Sequence, residues 1–331
     1  MSYDKFNKKN ILVAGGTGLV GQQLTNLLIN LGANVSVSSL DSEKLINSKV
    51  KNFFKLDMSI LQNCKEACKS QDIVFCLLGS TGSPATNQAK PATFMNANLL
   101  TAISMLEGAR LAGVKEYLYT STYGVYSHSG EMVESNMWNN PPSEHDKFAG
   151  WAKRIGELQV EAYQKQYNWK KIYIVRPANI YGPNANFDGK NSMVIPATIK
   201  KFFNNNGKVE IWGDGSAVRD FIFSRDVAQM MIDVVDKEIL DPINIGSGSG
   251  TSIKELVETI SKSEFLKTKP EIFYDTSKPS GDKRRVLNTE FAESKGIKTK
   301  ISLEDGIRET IEWYLNNGNT ELEKYNAFEN E

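Results

Sequence analysis

The sequence predicts a doubly wound α/β fold: a parallel sheet with helices on both faces, followed by a smaller C-terminal α/β domain. Three observations predict it. A β-branched run, Asn10–Ala14, stops at Gly15-Gly16-Thr17-Gly18-Leu19-Val20-Gly21, after which Leu19, Val20, Leu24, Leu27 and Leu28 recur at helical spacing. Further short apolar runs follow at intervals that leave room for a helix between each pair. Beyond Arg176 and Pro177 the alternation loosens into loops rich in Gly, Pro and Asn.

The first unit is strand, tight turn and helix. Asn34–Ser39 after Gly32 reads as a second strand, and a third element near Phe53–Leu56 leads to Asp57. Ile73–Leu78 is continuously apolar, as a strand covered on both faces must be, and Glu116–Thr120 and Lys171–Val175 repeat the pattern. Right-handed crossovers join such units. Residues 1–180 are therefore expected to form a Rossmann-like domain that also takes back about 213–240, and residues 181–331 a smaller substrate-binding domain. In the latter, Pro196–Asn204, Ile253–Ser261 and Leu303–Asn316 read as helices, Val209–Trp212 as a strand and Ser277–Arg285 as a polar loop. Open sheets of this kind take ligands at the carboxyl ends of their strands.

Composition narrows the function. The 331 residues include 39 Lys+Arg and 39 Asp+Glu, which leaves no excess of cations for a phosphate backbone, so no nucleic-acid partner is expected. Runs such as Ile11–Ala14 and Ile73–Leu78 are too short to span a bilayer, and the N-terminus has no apolar targeting core. A cytoplasmic protein without a membrane partner is expected. Three cysteines, Cys64, Cys68 and Cys76, cannot close a complete disulfide framework, and Cys64 and Cys68, four apart on a helix, read as packing. His128 and His145 are the only histidines, so no metal site or Ser-His-Asp triad is expected.

The glycines at 15, 18 and 21 stand directly after a strand and open a helix. A dinucleotide pyrophosphate demands this arrangement: a turn without Cβ atoms, close approach of backbone N–H groups, and a helix N-terminus aimed at the phosphates. Asp41 lies about 20 residues on, where an acidic group grips the adenosine ribose, while Ser39 is better aligned with the end of the second strand. A serine there leaves room for a ribose phosphate, yet no Arg stands in Gly15–Gly21 or beside Ser39 to balance it. NAD is favoured, with NADP possible.

Thr120–Tyr126, Gly150–Glu157, Arg176–Pro183, Val194–Pro196, Gly213–Asp220 and Gly281–Arg285, together with Gly15–Gly21 and Asp57-Met58, resemble the extended short-chain dehydrogenase/reductase family of nucleotide-sugar epimerases, dehydratases and keto-reductases. Arg176–Pro183, Asn191–Pro196 and Lys278–Arg285 resemble the GDP-fucose synthase branch in particular. The resemblance implies that Gly15, Thr17, Gly18, Leu19, Val20, Gly21, Ser39, Asp57, Met58, Leu78, Lys153 and Pro177 hold the cofactor. It implies that Thr122 hydrogen-bonds the reacting sugar oxygen. It also calls for a Tyr four residues before Lys153, because the lysine holds the nicotinamide ribose and lowers the phenol pKa so that the phenolate can take a hydroxyl proton. That position is Ala149, with Phe148, Gly150, Lys153 and Glu157 in register around it. Either the tyrosine was removed by engineering, the account favoured by the intact frame, or the natural protein uses another route. Tyr123 is the obvious natural substitute, though it also reads as a packing aromatic.

The acid pair that follows the Thr in dehydratases is Tyr123 and Gly124 here, and the Cys and His that invert C3 and C5 in GDP-fucose synthases match Gly124 and Met193. Dehydration and double epimerisation are disfavoured. Hydride transfer at one sugar carbon remains, most simply C4 in a 4-epimerase. Alternatives are a 4-keto-reductase or 4-dehydrogenase of a GDP-sugar, a 4,6-dehydratase, and a non-catalytic NAD(P)-binding sensor. By motif match Asn179, Arg219 and Arg284 are expected at the diphosphate of a nucleotide-diphosphate sugar. Val194, Trp212 and Lys200 are expected near the base, and Ser80, Thr81, Thr122 and Tyr123 around the sugar, with Lys283 and Arg285 as solvated neighbours. The helices over Asn98–Leu111 and Gly150–Tyr167 are expected to pair a homodimer as a four-helix bundle.

Overall fold

A computed structural model describes residues 3–80, 89–187, 192–205, 207–278, 281–317 and 325. Strands β1 (Asn10–Ala14), β2 (Asn34–Ser38), β3 (Asn52–Phe54), β4 (Ile73–Cys76), β5 (Glu116–Thr120) and β6 (Ile172–Pro177) are joined in one sheet, as are helices α1 (Leu19–Asn30), α2 (Leu61–Ala67), α3 (Pro91–Leu111) and α4 (Lys147–Tyr167) around it. Next come β7 (Asn179–Tyr181), α5 (Val194–Phe203), β8 (Lys208–Trp212), β9 (Val218–Phe223), α6 (Ser224–Asp236) and β10 (Ile243–Ile245). The remainder is β11 (Gly250–Ser252), α7 (Ile253–Ser261), β12 (Glu271–Asp275), β13 (Arg284–Arg285), α8 (Glu290–Ser294) and α9 (Leu303–Asn317).

The main sheet is parallel throughout, with seven strands in the order β3-β2-β1-β4-β5-β6-β10. The chain winds outward from β1 in one direction and from β4 in the other, so the switch point lies between these two strands. Alternation along β4 shows why the run had to be wholly apolar. Ile73 and Phe75 join the core on the α1 and α6 side, and Val74 and Cys76 join the core beneath α2 and α3. Helix α1 buries Val20, Gly21, Leu24, Thr25 and Leu28, one stripe at helical spacing. It ends in a left-handed glycine, Gly32, at φ +80°.

The smaller domain packs a four-stranded sheet of β7, β9, β11 and β13 and the β8–β12 pair against α5, α7 and α9, around Tyr181, Ile195, Ile199, Phe221, Phe223, Leu256 and Ile311. Strand β8 alternates exposed and buried residues, as a half-covered strand does. A capping box between Ser252 and Glu255 starts α7. Two details differ from the sequence reading. Ile243–Ile245 returns to the main sheet beside β6, a strand too short to register as a periodic run. Arg284 and Arg285 are strand rather than loop, paired with Val218 and Arg219. Among the described residues no helix is long and apolar enough to cross a membrane, and no group of three metal-ligating side chains converges. The three cysteines are buried free thiols, and burial pushes that of Cys64 up to about 12.

A buried ion pair joins α4 to the sheet. The Arg176 guanidinium donates to Glu157 at 2.7 and 3.0 Å, with both side chains almost wholly enclosed. Ser121 donates to the same carboxylate at 2.5 Å, and Arg176 donates to Tyr126 Oη, which donates to Asn244 in β10. Removing one partner strands a charge out of reach of water. Glu157→Ala should therefore cost about 3–5 kcal/mol of unfolding free energy, whereas Glu157→Leu with Arg176→Met should lose less than either single change, as denaturant titration would show.

Candidate functional site

The carboxyl ends of the strands converge at the switch point. Gly15 turns the chain out of β1 at φ +85°, its N–H bound to the Ser38 carbonyl at 2.8 Å. A Cβ on Gly21 would collide with the Gly15 carbonyl, and one on Gly16 would lie 2.6 Å from Val37. The turn can therefore be built only from small residues packed directly on the strands. Gly18 caps α1 without a side chain, so the first-turn N–H groups have no side-chain cap and point out of the turn, which fits a dinucleotide pyrophosphate. At the end of β2, Thr17 Oγ1 lies 2.6 Å from Ser39 Oγ and donates to Asp41 at 2.6 Å, while the Asp41 N–H donates to Ser39 at 3.0 Å. The Asp41 carboxylate is thus held beside the turn, one oxygen accepting from Thr17 and the other from the Tyr325 N–H at 2.6 Å.

Helix α4 carries the other half. Lys153 is 8% exposed, and its Nζ donates to the carbonyls of Leu78 at 3.0 Å and Thr120 at 2.9 Å, beyond the ends of β4 and at the end of β5. Burial lowers its pKa to about 8. A Cβ on Gly79 would lie 2.9 Å from Asn98 Oδ1 and 3.0 Å from Lys153 Nζ, so Asn98 of α3 belongs to this site although the sequence reading passed it over. Thr122 caps the turn that follows β5, its Oγ1 accepting from the Gly124 N–H at 3.1 Å. A Cβ on Gly150, the neighbour of Ala149, would meet the Gly124 carbonyl at 2.5 Å, so α4 lies directly on this turn.

Tyr123 donates to Asn179 Oδ1 at 2.8 Å, and Asn179 donates to the Asp220 carbonyl at 2.9 Å, a chain of bonds from the main sheet into the smaller one. Burial pushes the Tyr123 hydroxyl up to about 12, so it stays a neutral donor and does not make a base near neutral pH. Arg219 in β9 donates to the carbonyls of Val218 and Asp282. Arg285 is 3% exposed rather than a solvated neighbour. It donates to Asp282 at 2.9 Å and to the Tyr123 carbonyl at 3.1 Å, lies 3.2 Å from Asp146, and stacks its guanidinium 5.0 Å from the Tyr123 ring centre. Arg284 is exposed and lies along Gly250. Alternation in β13 explains the exchange, since adjacent residues face opposite sides. Burial raises Asp282, but bonds from Ser143 and Arg285 more than offset this and leave its carboxyl below the usual value.

The remaining predicted residues divide. Leu19 packs toward the core of the smaller domain, Val20 and Met58 are buried, Asp57 is exposed, Pro177 ends β6, and the Ser80 carbonyl accepts weakly from Asn98 at 3.4 Å. Val194 and Lys200 lie on α5, Met193 precedes it, and Trp212 is 52% exposed at the end of β8, with Lys278 near its ring. Thr81 lies outside the described residues.

A switch-point glycine turn, a helix start with no side-chain cap and a buried lysine on the helix after β5 define a dinucleotide-binding protein of short-chain dehydrogenase/reductase architecture. The chain belongs to the NAD dependent epimerase/dehydratase family, whose profile matches residues 11–246. It is 30% identical to a putative GDP-L-fucose synthase of Arabidopsis thaliana over 316 residues, covering 93% of this chain and 92% of that protein. Among solved structures it superposes on a UDP-glucose 4-epimerase of Thermotoga maritima with UDP-glucose (TM-score 0.78, 25% identity, 93% and 99% of the two chains). It also superposes on a GDP-mannoheptose C4 reductase of Campylobacter jejuni with NADP bound (TM-score 0.79, 25% identity, 94% and 99%).

The buried lysine gives a measurable signature without any ligand. An unfolded lysine titrates near its ordinary value of about 10.4 and Lys153 at about 8, so between these values the unfolded chain binds the extra proton and stability rises with pH. Denaturant unfolding at a series of pH values between them should show that rise in the unmodified protein, and Lys153→Met should lack this increment.

Proposed function

We propose that this chain binds NAD and a nucleotide-diphosphate sugar together at the carboxyl edge of its sheet and serves hydride transfer at C4 of the sugar, with 4-epimerisation as the first reading. The observation that carries it is the register of Lys153, Thr122 and the glycine turn around the switch point. NAD, when bound, supplies the hydride acceptor and donor. The α1 N-terminus and Gly15–Gly21 hold the pyrophosphate, Asp41 and Ser39 the adenosine ribose, and Lys153 the nicotinamide ribose. Thr122 holds the reacting sugar oxygen, and Asn179 and Arg219 serve the diphosphate. Gly124 and Met193 carry no acid or base, so inversion at C3 or C5 has no agent in those positions. Ala149 stands where the family's phenol is expected and cannot relay a proton. A second reading, reduction of a 4-keto GDP-sugar, is favoured by the likeness to a GDP-L-fucose synthase and to a GDP-heptose C4 reductase.

Calorimetry and product analysis test this. Both NAD and at least one UDP- or GDP-sugar should bind, and chromatography should find a product altered at C4 alone. NAD binding with indifference to every sugar nucleotide would mark a sensor instead.

We also propose a homodimer. Helices α3 and α4 pack side by side, joined by a 2.7 Å bond from Tyr163 to Glu107, and expose Leu100, Ile103 and Leu111 beside Trp151, Ile155 and Leu158. Two such faces brought together make a four-helix bundle. Light scattering at micromolar concentration should give twice the chain mass, and a monomer would remove the proposal.

A further inference from the structure

The crevice contains a carboxyl that the hydride reading leaves unused. Asp146 stands at the N-terminus of α4, one turn before Ala149, and positions 146, 149 and 153 are spaced three and four apart, which sets them on one face of the helix. Their neighbours run in order along a single stretch of chain. Lys153 reaches the Thr120 carbonyl, Gly150 lies against the Gly124 carbonyl, and Asp146 lies beside Gly124 itself. A methyl group on Gly124 would sit 3.3 Å from Thr122 Cγ2 and 3.4 Å from Asp146 Cγ. The Thr122 side chain and the Asp146 carboxyl therefore both pack on the buried Gly124, which brings them to the same turn of the chain. Arg285 approaches the carboxyl with Nη2 3.2 Å from Oδ2 and is itself held by Asp282 and the Tyr123 carbonyl. Asp146 is half-buried at the start of α4, with Arg285 the cation beside its carboxylate.

We infer that Asp146 is the catalytic acid/base of this chain, doing from the preceding turn of α4 what a phenol at position 149 would do. The inference rests on the hydride reading above. In the oxidative direction the sugar O–H bond breaks and its proton passes to the Asp146 carboxylate. The C–H bond breaks with it, its electron pair leaving as hydride to the nicotinamide dinucleotide, and a C=O bond forms. In the reductive direction the carboxylic acid returns the proton to the carbonyl oxygen as hydride arrives at carbon. Burial pushes the Asp146 carboxyl above its ordinary value and Asp282 adds to this, while Arg285, His145 and Arg219 pull it down and Tyr123 faces it uncharged. A raised carboxyl pKa brings it nearer to neutral pH, where a proton-transfer group is most effective.

The test uses Asp146→Asn and Asp146→Glu in the chain as it stands, and Asp146→Asn combined with Ala149→Tyr. On a sugar nucleotide that the unmodified chain converts, Asp146→Asn should lower kcat by about 10² to 10⁴-fold, while the calorimetric Kd stays within about threefold. Asp146→Glu should retain part of the rate. Ala149→Tyr should restore turnover to Asp146→Asn, with the rise of oxidative rate moved to higher pH because a phenol replaces a carboxyl. Carboxyl 13C NMR gives a readout that needs no turnover. One aspartate signal, absent in Asp146→Asn, should titrate above the ordinary aspartate value and shift when the sugar nucleotide binds. Unchanged turnover in Asp146→Asn, or a carboxyl signal indifferent to the ligand, overturns the assignment. If the unmodified chain is inert and Ala149→Tyr is active, the assignment falls and the hydride reading stands. If neither converts nor binds any sugar nucleotide, both fall.

Discussion

The enclosed Glu157–Arg176 pair fixes where everything else in the crevice can be. It clamps α4 against β6, and because Glu157 also accepts from Ser121, the turn leaving β5 is tied to the same point. One helical turn from Glu157, Lys153 is thereby held over the ends of β4 and β5, and two turns from it Gly150 is pressed onto the Gly124 carbonyl. Gly156, in the same helix, accepts the Tyr119 ring where any side chain would collide with its hydroxyl. The helix can neither slide nor roll without breaking a buried charge pair, so the residues facing the crevice inherit their positions from a contact that takes no part in chemistry.

The other side of the crevice is set by sterics rather than charge. Gly16 and Gly21 let α1 lie against β1 and β2 at backbone distance, and Thr17, Ser39 and Asp41 close a small polar ring at its rim. The chain first passes from the main sheet to the smaller one at Pro177–Asn179, leaving β6 and entering β7 within two residues. Asn179, bonded to Tyr123 on one side and to the Asp220 carbonyl on the other, makes that junction part of the site.

What the sequence made legible follows from what local pattern can encode. The glycine turn, β4 and β5 were readable because strand periodicity and turn sterics act over a few residues, and Lys153 and Thr122 could be named because a family register carries them. Asp146, Asn98 and Arg285 were not. A charged residue in a run such as Gly281–Arg285 reads as solvated, and only the pairing of β13 with β9 reveals which of its two arginines faces inward. Asn98 sits in a helix whose periodicity explains it as one more buried position, and its approach to Lys153 exists only through the close passage of Gly79. Ile243–Ile245 was missed for the opposite reason, since three apolar residues carry no period of their own and belong to the sheet only because β6 offers an open edge.

Ala149 and Gly124 carry no titratable side chain, while Lys153 is held by the Leu78 and Thr120 carbonyls and Thr122 by the Gly124 N–H. Tyr123 does not compensate, because its hydroxyl is committed to Asn179 and burial disfavours its ionisation. The buried Arg285 guanidinium lies between two carboxylates, 2.9 Å from Asp282 and 3.2 Å from Asp146. Holding Arg285 at 3% exposure costs desolvation that two carboxylates and a carbonyl offset only in part, since its Nε is left without a partner. Asp282 and the Tyr123 carbonyl fix the guanidinium, and so fixed it sets its Nη2 beside the Asp146 carboxylate that packs on Gly124.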